Sequence, residues 1–186
     1  MSLKSKIGLL ISIMIMLACT NGQNSNMASA QVINQKIPDF NIDFPKTEFK
    51  VEKTENFDNS LGVNITNWIL QGADQNGPFM FFVAHNPVPE KLKSTINQEP
   101  RSLDVAFQAM LTSSASKLGG TDFTFTKIKY ENYEGMEALC KVFDGDGIIK
   151  SRVYKINDNI FMISAGGQKI NVDTVDNFLN SFGLNL

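Results

Sequence analysis

The sequence predicts an α+β fold: a mainly antiparallel sheet of about seven to eight strands with two main helices packed on it. Three observations carry that prediction. Short apolar runs, most of them alternating apolar with polar residues, fill 38–84 and 121–165, as half-buried strands do. Turn clusters of Asn, Asp and Gly separate the runs, which implies hairpins and therefore antiparallel neighbours. Only two segments, about 102–118 and 171–182, place apolar residues at helical spacing.

Each element follows from its residues. Phe40, Ile42 and Phe44 alternate with Asn41 and Asp43, which predicts a first strand stopped by Pro45. A second strand is expected over 47–53, with Phe49 and Val51 inward. A third is expected over 61–72, with Val63, Ile65, Asn67 and Ile69 on one face. The turn Asp74-Gln75-Asn76-Gly77 follows, and then Pro78 to Ala84, apolar throughout, which suits a central strand covered on both faces. Residues 86–101 form a long connection with room for a helical turn near 89–96. Ser102 fits an N-cap and Asp104 a first turn, where the helix dipole favours negative charge. Leu103, Phe107, Met110, Leu111 and Leu118 share one face, and Gly119-Gly120 ends the helix.

Strands are then expected over 123–130, 136–143, 148–156 and 159–165. They are joined at Asn132-Tyr133-Glu134-Gly135, at Asp144-Gly145-Asp146-Gly147 and at Asn157-Asp158. The closing helix places Val172, Val175, Leu179 and Phe182 on its apolar face, with Phe178 at the edge.

Composition sets the frame. The chain has 186 residues, 42% of them hydrophobic, and a formal charge of −2. A folded body of roughly 150 residues buries about 70% of its unfolded surface, so no metal or disulfide is needed to hold it. Basic residues are scattered as singles and pairs, which argues against a nucleic-acid partner.

The first residues carry an address. Lys4 and Lys6 precede an apolar run of 12 residues, Ile7 to Ala18. That run is shorter than the roughly 20 residues a membrane span needs, and has the shape of a secretory signal. Met16-Leu17-Ala18-Cys19 resembles a bacterial lipobox, although lipoboxes favour Leu where Met16 stands and Ser or Ala where Leu17 stands. The resemblance implies a signal peptide over 1–18, lipidation of Cys19 and cleavage before it. It places the protein in the bacterial cell envelope, held in the inner or outer membrane by lipid on Cys19, with its domain outside the cytoplasm. Thr20, not aspartate, follows the cysteine, which leaves the outer membrane open. Ordinary secretion is the alternative, by cleavage after Ala28-Ser29-Ala30, which would remove the cysteine. Residues 19–36 are polar, rich in Asn, Gln and Ser, and read as a flexible tether. Loss of Lys4 and Lys6 takes the charge from −2 to −4, so the mature chain is not drawn flat onto anionic lipid.

A second resemblance covers most of 37–186, expected to be one domain. The opening FNIDFP, the strand FMFFVAH, the helix, IKYENYEGMEALCKVF, RVYKINDNIFMISAGG and the closing FLNSFGL together are similar to the Mog1/PsbP-like fold. That family implies an α/β sandwich and, for most members, a non-enzymatic binding or assembly role. It brings no catalytic motif and no particular partner.

The search for chemistry is short. Acid–base work favours histidine, and His85 is the only one. As a lone strand-end histidine it reads better as bonded to a loop carbonyl than as a proton shuttle. Asp144 and Asp146 lack the further acids of a calcium loop, so a hairpin turn is the better reading and no metal site is expected. Cys140 shares a strand face with Ala138 and Val142 and reads as an inert buried thiol. Ser114-Ala-Ser-Lys117 matches S-x-x-K without its companion motifs. Gly166-Gly167 reads as a strand-to-helix connection. Trp68, Tyr130, Tyr133 and Tyr154 are aromatic candidates for a surface, although strand aromatics are more often packing residues. No cofactor is implied.

The expectation is thus a lipid-anchored envelope protein with a non-catalytic binding or accessory domain, its partner a protein or envelope component. An aromatic patch around His85 to Pro89 and Tyr130 to Tyr133 is its expected surface. The alternatives are a small-ligand carrier with an apolar pocket, or a secreted enzyme with a site near His85.

Overall fold

The computed structural model describes residues 39–59, 61–90, 93 and 100–185. The expected signal peptide over 1–18 and the whole of the expected tether over 19–36, Cys19 included, fall outside the described residues. The strands are β1 (Asp39–Asn41), β2 (Glu52–Asp58), β3 (Val63–Asp74), β4 (Gly77–Pro87), β5 (Thr121–Tyr130), β6 (Tyr133–Val142), β7 (Gly147–Ile156), β8 (Asn159–Gln168) and β9 (Gly183–Asn185). The main helices are α1 (Pro100–Ser116) and α2 (Val172–Asn180), and a short 3-10 turn spans Phe143–Gly145. Seven strands form one antiparallel sheet in the order β2-β3-β4-β8-β7-β6-β5, and β1 pairs with β9 in a separate ladder. The architecture is α+β, as the alternation and turns predicted.

Local chemistry sets these elements. Two-residue turns close the β5–β6 and β7–β8 hairpins, with Tyr130 opposite Tyr133 and Ile156 opposite Asn159. Each turn needs one residue in the left-handed region, supplied by Glu131 and Asn157. Gly119, at φ 82°, ends α1, and the Gly120 amide donates to the Ala115 carbonyl at 2.9 Å; glycine takes that conformation without a Cβ penalty. Asn171 caps α2, its side chain accepting from the Asp173 amide at 2.7 Å.

The two helices lie on opposite faces of the sheet. Phe107 and Leu111 of α1 pack with Met136, Ala138, Val153 and Ile160. Val175, Phe178 and Leu179 of α2 pack with Phe81, Tyr154, Phe161 and Ile163 on the other face. The second face also carries a partly buried charge network. Arg152 Nε donates to Glu137 at 2.7 Å, Lys150 Nζ sits 2.7 Å from Asp176, and Arg152 also reaches Asn180 at 2.8 Å. The network ties α2 to β6 and β7. Burial alone would lower the Lys150 pKa, but the hydrogen bond to Asp176 and the carboxylates of Glu137 and Asp176 outweigh it and raise the pKa.

Several boundaries and faces differ from expectation. The second strand is 52–58, not 47–53, and Phe49 and Val51 are exposed. β2 is an edge strand with a polar sequence, so the apolar alternation just before it misleads. On β3 the Trp68–Leu70 face, not the Asn67–Ile69 face, packs on the α2 core; both parities of this strand carry apolar residues, so parity does not identify the core. Ser102 lies inside α1, which starts at Pro100, a residue suited to a first turn. Glu90 and Lys93 are helical, while 91, 92 and 94–99 fall outside the described residues. Phe178 is fully buried and Val172 exposed, the reverse of their expected places on α2. Gly166 and Gly167 lie within β8 rather than in a connection.

Candidate binding cleft

Beyond the end of α2, the same sheet face is left open over β2, β3 and β4. The register carries two rows of side chains across it. One row is Glu55, Thr66 and His85, with Phe161 next along; the other is Lys53, Trp68 and Val83. The chain before β2 folds over this area and supplies Phe40, Ile42, Phe44 and Val51 as the opposite wall. The result is a cleft of about 680 Å³, within the usual size for a small-ligand site.

Trp68 is the only tryptophan in the chain. The ring of Phe40 meets it edge-on, with centroids 4.9 Å apart, and Lys53 Nζ lies 5.7 Å from its centroid. Lys53 is in turn 2.6 Å from Glu55, and both side chains are more than half exposed. This is a solvated pair, weak as a source of stability and free to take other partners.

His85 is 2% exposed and lies at the cleft floor. Its ring sits 4.7 Å from that of Phe161, and Nε2 lies 3.0 Å from Asn159 Oδ1. A carbonyl oxygen only accepts, so Nε2 carries the proton and Nδ1 keeps its lone pair. The partner is a side-chain amide of β8, not the loop carbonyl expected. Burial lowers the His85 pKa below 6.5, and the bond to Asn159 offsets part of that effect. The ring is therefore neutral at pH 7. Its side-chain partner is an amide and not a carboxylate, so it lacks the orienting acid of a proton shuttle.

The sign of the pH effect follows. A depressed folded pKa means that the unfolded chain binds the proton more readily. Stability from the neutral ring is complete above about pH 6.5 and is lost as pH falls through the lower folded value. Between about pH 7.5 and about pH 5, urea midpoints should fall further for the wild type than for His85→Gln. Parallel midpoints for the two proteins would contradict the burial argument.

Tyr130 and Tyr133 share this sheet face but not the cleft. The Tyr130 hydroxyl accepts from the Leu184 amide at 3.0 Å, and its ring packs 5.5 Å from Phe182. Tyr133 reaches Asn157 at 3.5 Å. Between these tyrosines and His85 stand the rings of Phe182 and Phe161, 5.5 Å apart. The tyrosines anchor β9 and a hairpin end, and the expected patch is divided by core aromatics. Lys53, Glu55, Thr66 and Phe40 have no sequence signal as site residues; strand register and the fold-over of the N-terminal segment bring them together.

The other candidates fall elsewhere. Cys140 is buried on the α1 face against Ala115, Val142 and Ile149, where burial pushes its thiol pKa up. Asp146, in the β6–β7 turn, accepts from the Gln168 amide at the end of β8 at 2.9 Å, and Asp144 occupies the same turn. Among the described residues no three acids, histidines or cysteines converge as metal ligands. Lys117 lies past the end of α1. An apolar crevice beside Phe79, Met80, Leu118 and Phe143 holds about 20 Å³, space for one water molecule. No described helix is long and apolar enough to cross a membrane. No family model matches the chain, and no curated protein matches it.

Proposed function

We propose that this protein is a lipid-anchored cell-envelope binding module, a Mog1/PsbP-like domain tethered through Cys19, and that the open cleft at Trp68 and His85 is its binding site. The observation that carries the reading is the cleft itself. It is large and open, it is lined by mixed aromatic and polar side chains, and its one histidine is held neutral by burial, with an amide rather than an acid as its side-chain partner. Binding rather than catalysis suits that equipment. A carrier role draws less support, because the apolar crevice beside Phe143 is too small for an organic ligand. An enzyme built on His85 would need a partner acid that Asn159 does not supply.

Two measurements test the reading. Expressed in a bacterium from the full sequence, the wild type should enter the membrane fraction as a chain beginning at an acylated Cys19. Cys19→Ser should lose the acyl mass and become soluble. A wild-type chain beginning at Gln31 without lipid would refute the anchor. Separately, host-envelope extract should change the Trp68 emission of the Cys19→Ser chain in a saturable way. No response would remove the cleft as the binding site.

A further inference from the structure

We infer that the cleft binds a saccharide, through polar groups that match the hydroxyls of a sugar and aromatic rings that match its C–H face. The inference rests on the reading of the cleft as the binding site and names its ligand class. Its first support is the pair on the rim. Lys53 Nζ and Glu55 stand 2.6 Å apart and more than half exposed. Two adjacent sugar hydroxyls can use such a pair together, one donating to the carboxylate and one accepting from the ammonium. Charge-assisted bonds of this kind favour a polyol over a ligand with isolated polar atoms.

The floor continues the pattern. Glu55, Thr66 and His85 stand in one row across three strands. Thr66 both donates and accepts, and His85 has only the Nδ1 lone pair to offer, because Nε2 is engaged with Asn159. The row is therefore biased towards acceptors, and a hydroxyl-rich ligand brings the donors it lacks. Beside it stand the rings of Trp68 and Phe40, a rigid apolar surface next to polar groups. A sugar ring has the same two-sided character, with hydroxyls at its edge and C–H bonds on its face.

Other ligand classes fit less well. An anionic ligand would find one lysine already paired with a carboxylate. A fatty acyl chain would bury Glu55, Thr66 and the His85 lone pair without partners, at a cost in desolvation.

The test uses Trp68 as reporter in the Cys19→Ser chain, with β-1,4-linked N-acetylglucosamine trisaccharide, mannotriose and cellotriose as probes up to about 10 mM, the range of weak single-site ligands. At least one probe should shift the emission in a saturable way. Glu55→Gln and His85→Gln should each weaken that binding about fivefold or more, and Trp68→Phe, read by calorimetry, about tenfold. Val105→Ala, exposed on α1 across the sheet, should leave it unchanged. Glu55 is exposed enough that its variant reports binding even where His85→Gln alters the fold.

No saturable response to any probe overturns the inference, and so does binding insensitive to Glu55→Gln. Envelope extract then separates the causes. A response abolished by protease, with none to sugars, makes the partner a polypeptide; the saccharide inference falls while the cleft remains the binding site. Silence towards both extract and sugars removes the cleft as well.

Discussion

Gly166→Val is expected to abolish cooperative folding. Gly166 lies in β8 between Met80 of β4 and Ile149 of β7. A Cβ placed on it would come within 2.3 Å of the Ile148 carbonyl oxygen and 2.7 Å of Ile149 Cα. Both are main-chain atoms of a central strand, with no flexible end to swing aside. Relief requires β7 and β8 to separate locally, and that breaks ladder bonds in the middle of the sheet. A cost of roughly 4 kcal/mol or more consumes most of the stability of an ordinary domain. Urea titration followed by circular dichroism should show no cooperative transition. Gly166→Ala should be milder yet still clearly destabilised. A wild-type midpoint for Gly166→Val would mean that β7 and β8 are less closely apposed than these distances require.

Phe161→Ala should cost about 3–5 kcal/mol, the range for a large aromatic removed from a well-packed core. Phe161 is fully buried. Its ring lies 4.7 Å from His85, 5.5 Å from Phe182 and 5.7 Å from Phe40. The loss should therefore spread beyond stability: the imidazole loses the surface it packs on, and Phe40, a wall of the cleft, loses a contact. Trp68 emission should move as well. Phe57→Ala, at a position 54% exposed on the edge strand, should stay within about 0.5 kcal/mol of wild type. A Phe161→Ala change below about 1.5 kcal/mol would show that the core collapses around the gap.

The hairpin half of the molecule is legible in the sequence. Asn157-Asp158 and the Asp144 to Gly147 cluster mark turns by residue type, and the alternation around them has only one sensible register. Gly119 likewise marks the end of α1, because its conformation favours glycine. The N-terminal half is harder. β3 carries apolar residues of both parities, so Trp68 and Ile69 read alike while only Trp68 packs on the α2 core. β2 has a polar edge-strand sequence, and Phe49 and Val51 imitate a strand just outside it. β9 has three residues and exists because β1 pairs with it across the length of the chain. No local pattern can announce such a partner.

The cleft was illegible for the same reason. Glu55, Thr66 and His85 come from three strands, and Phe40 arrives from the far end of the domain. Trp68 and His85 stand out as rare residue types, but nothing in their local context joins them. Tyr130 and Tyr133 show the reverse case. Their composition marks a surface, whereas hydrogen bonds to Leu184 and Asn157 place them in structural work.

The pairing of β1 with β9 has a mechanical consequence. Three ladder pairs, Asp39 to Asn185, Phe40 to Leu184 and Asn41 to Gly183, join the start of the described chain to its close, and the Asp43 amide donates to Ser181 Oγ at 2.9 Å just beyond them. Under the proposed anchor, tension arriving from the lipid reaches the described residues at Asp39. Among the described residues this short ladder meets the load first, and short peripheral segments open before the sheet does. Phe40 belongs to the ladder and to the cleft wall. A pull that peels β1 from β9 would widen the cleft while the seven-stranded sheet stays intact. Tether length and the distance between membrane and ligand would then set how firmly the wall is held.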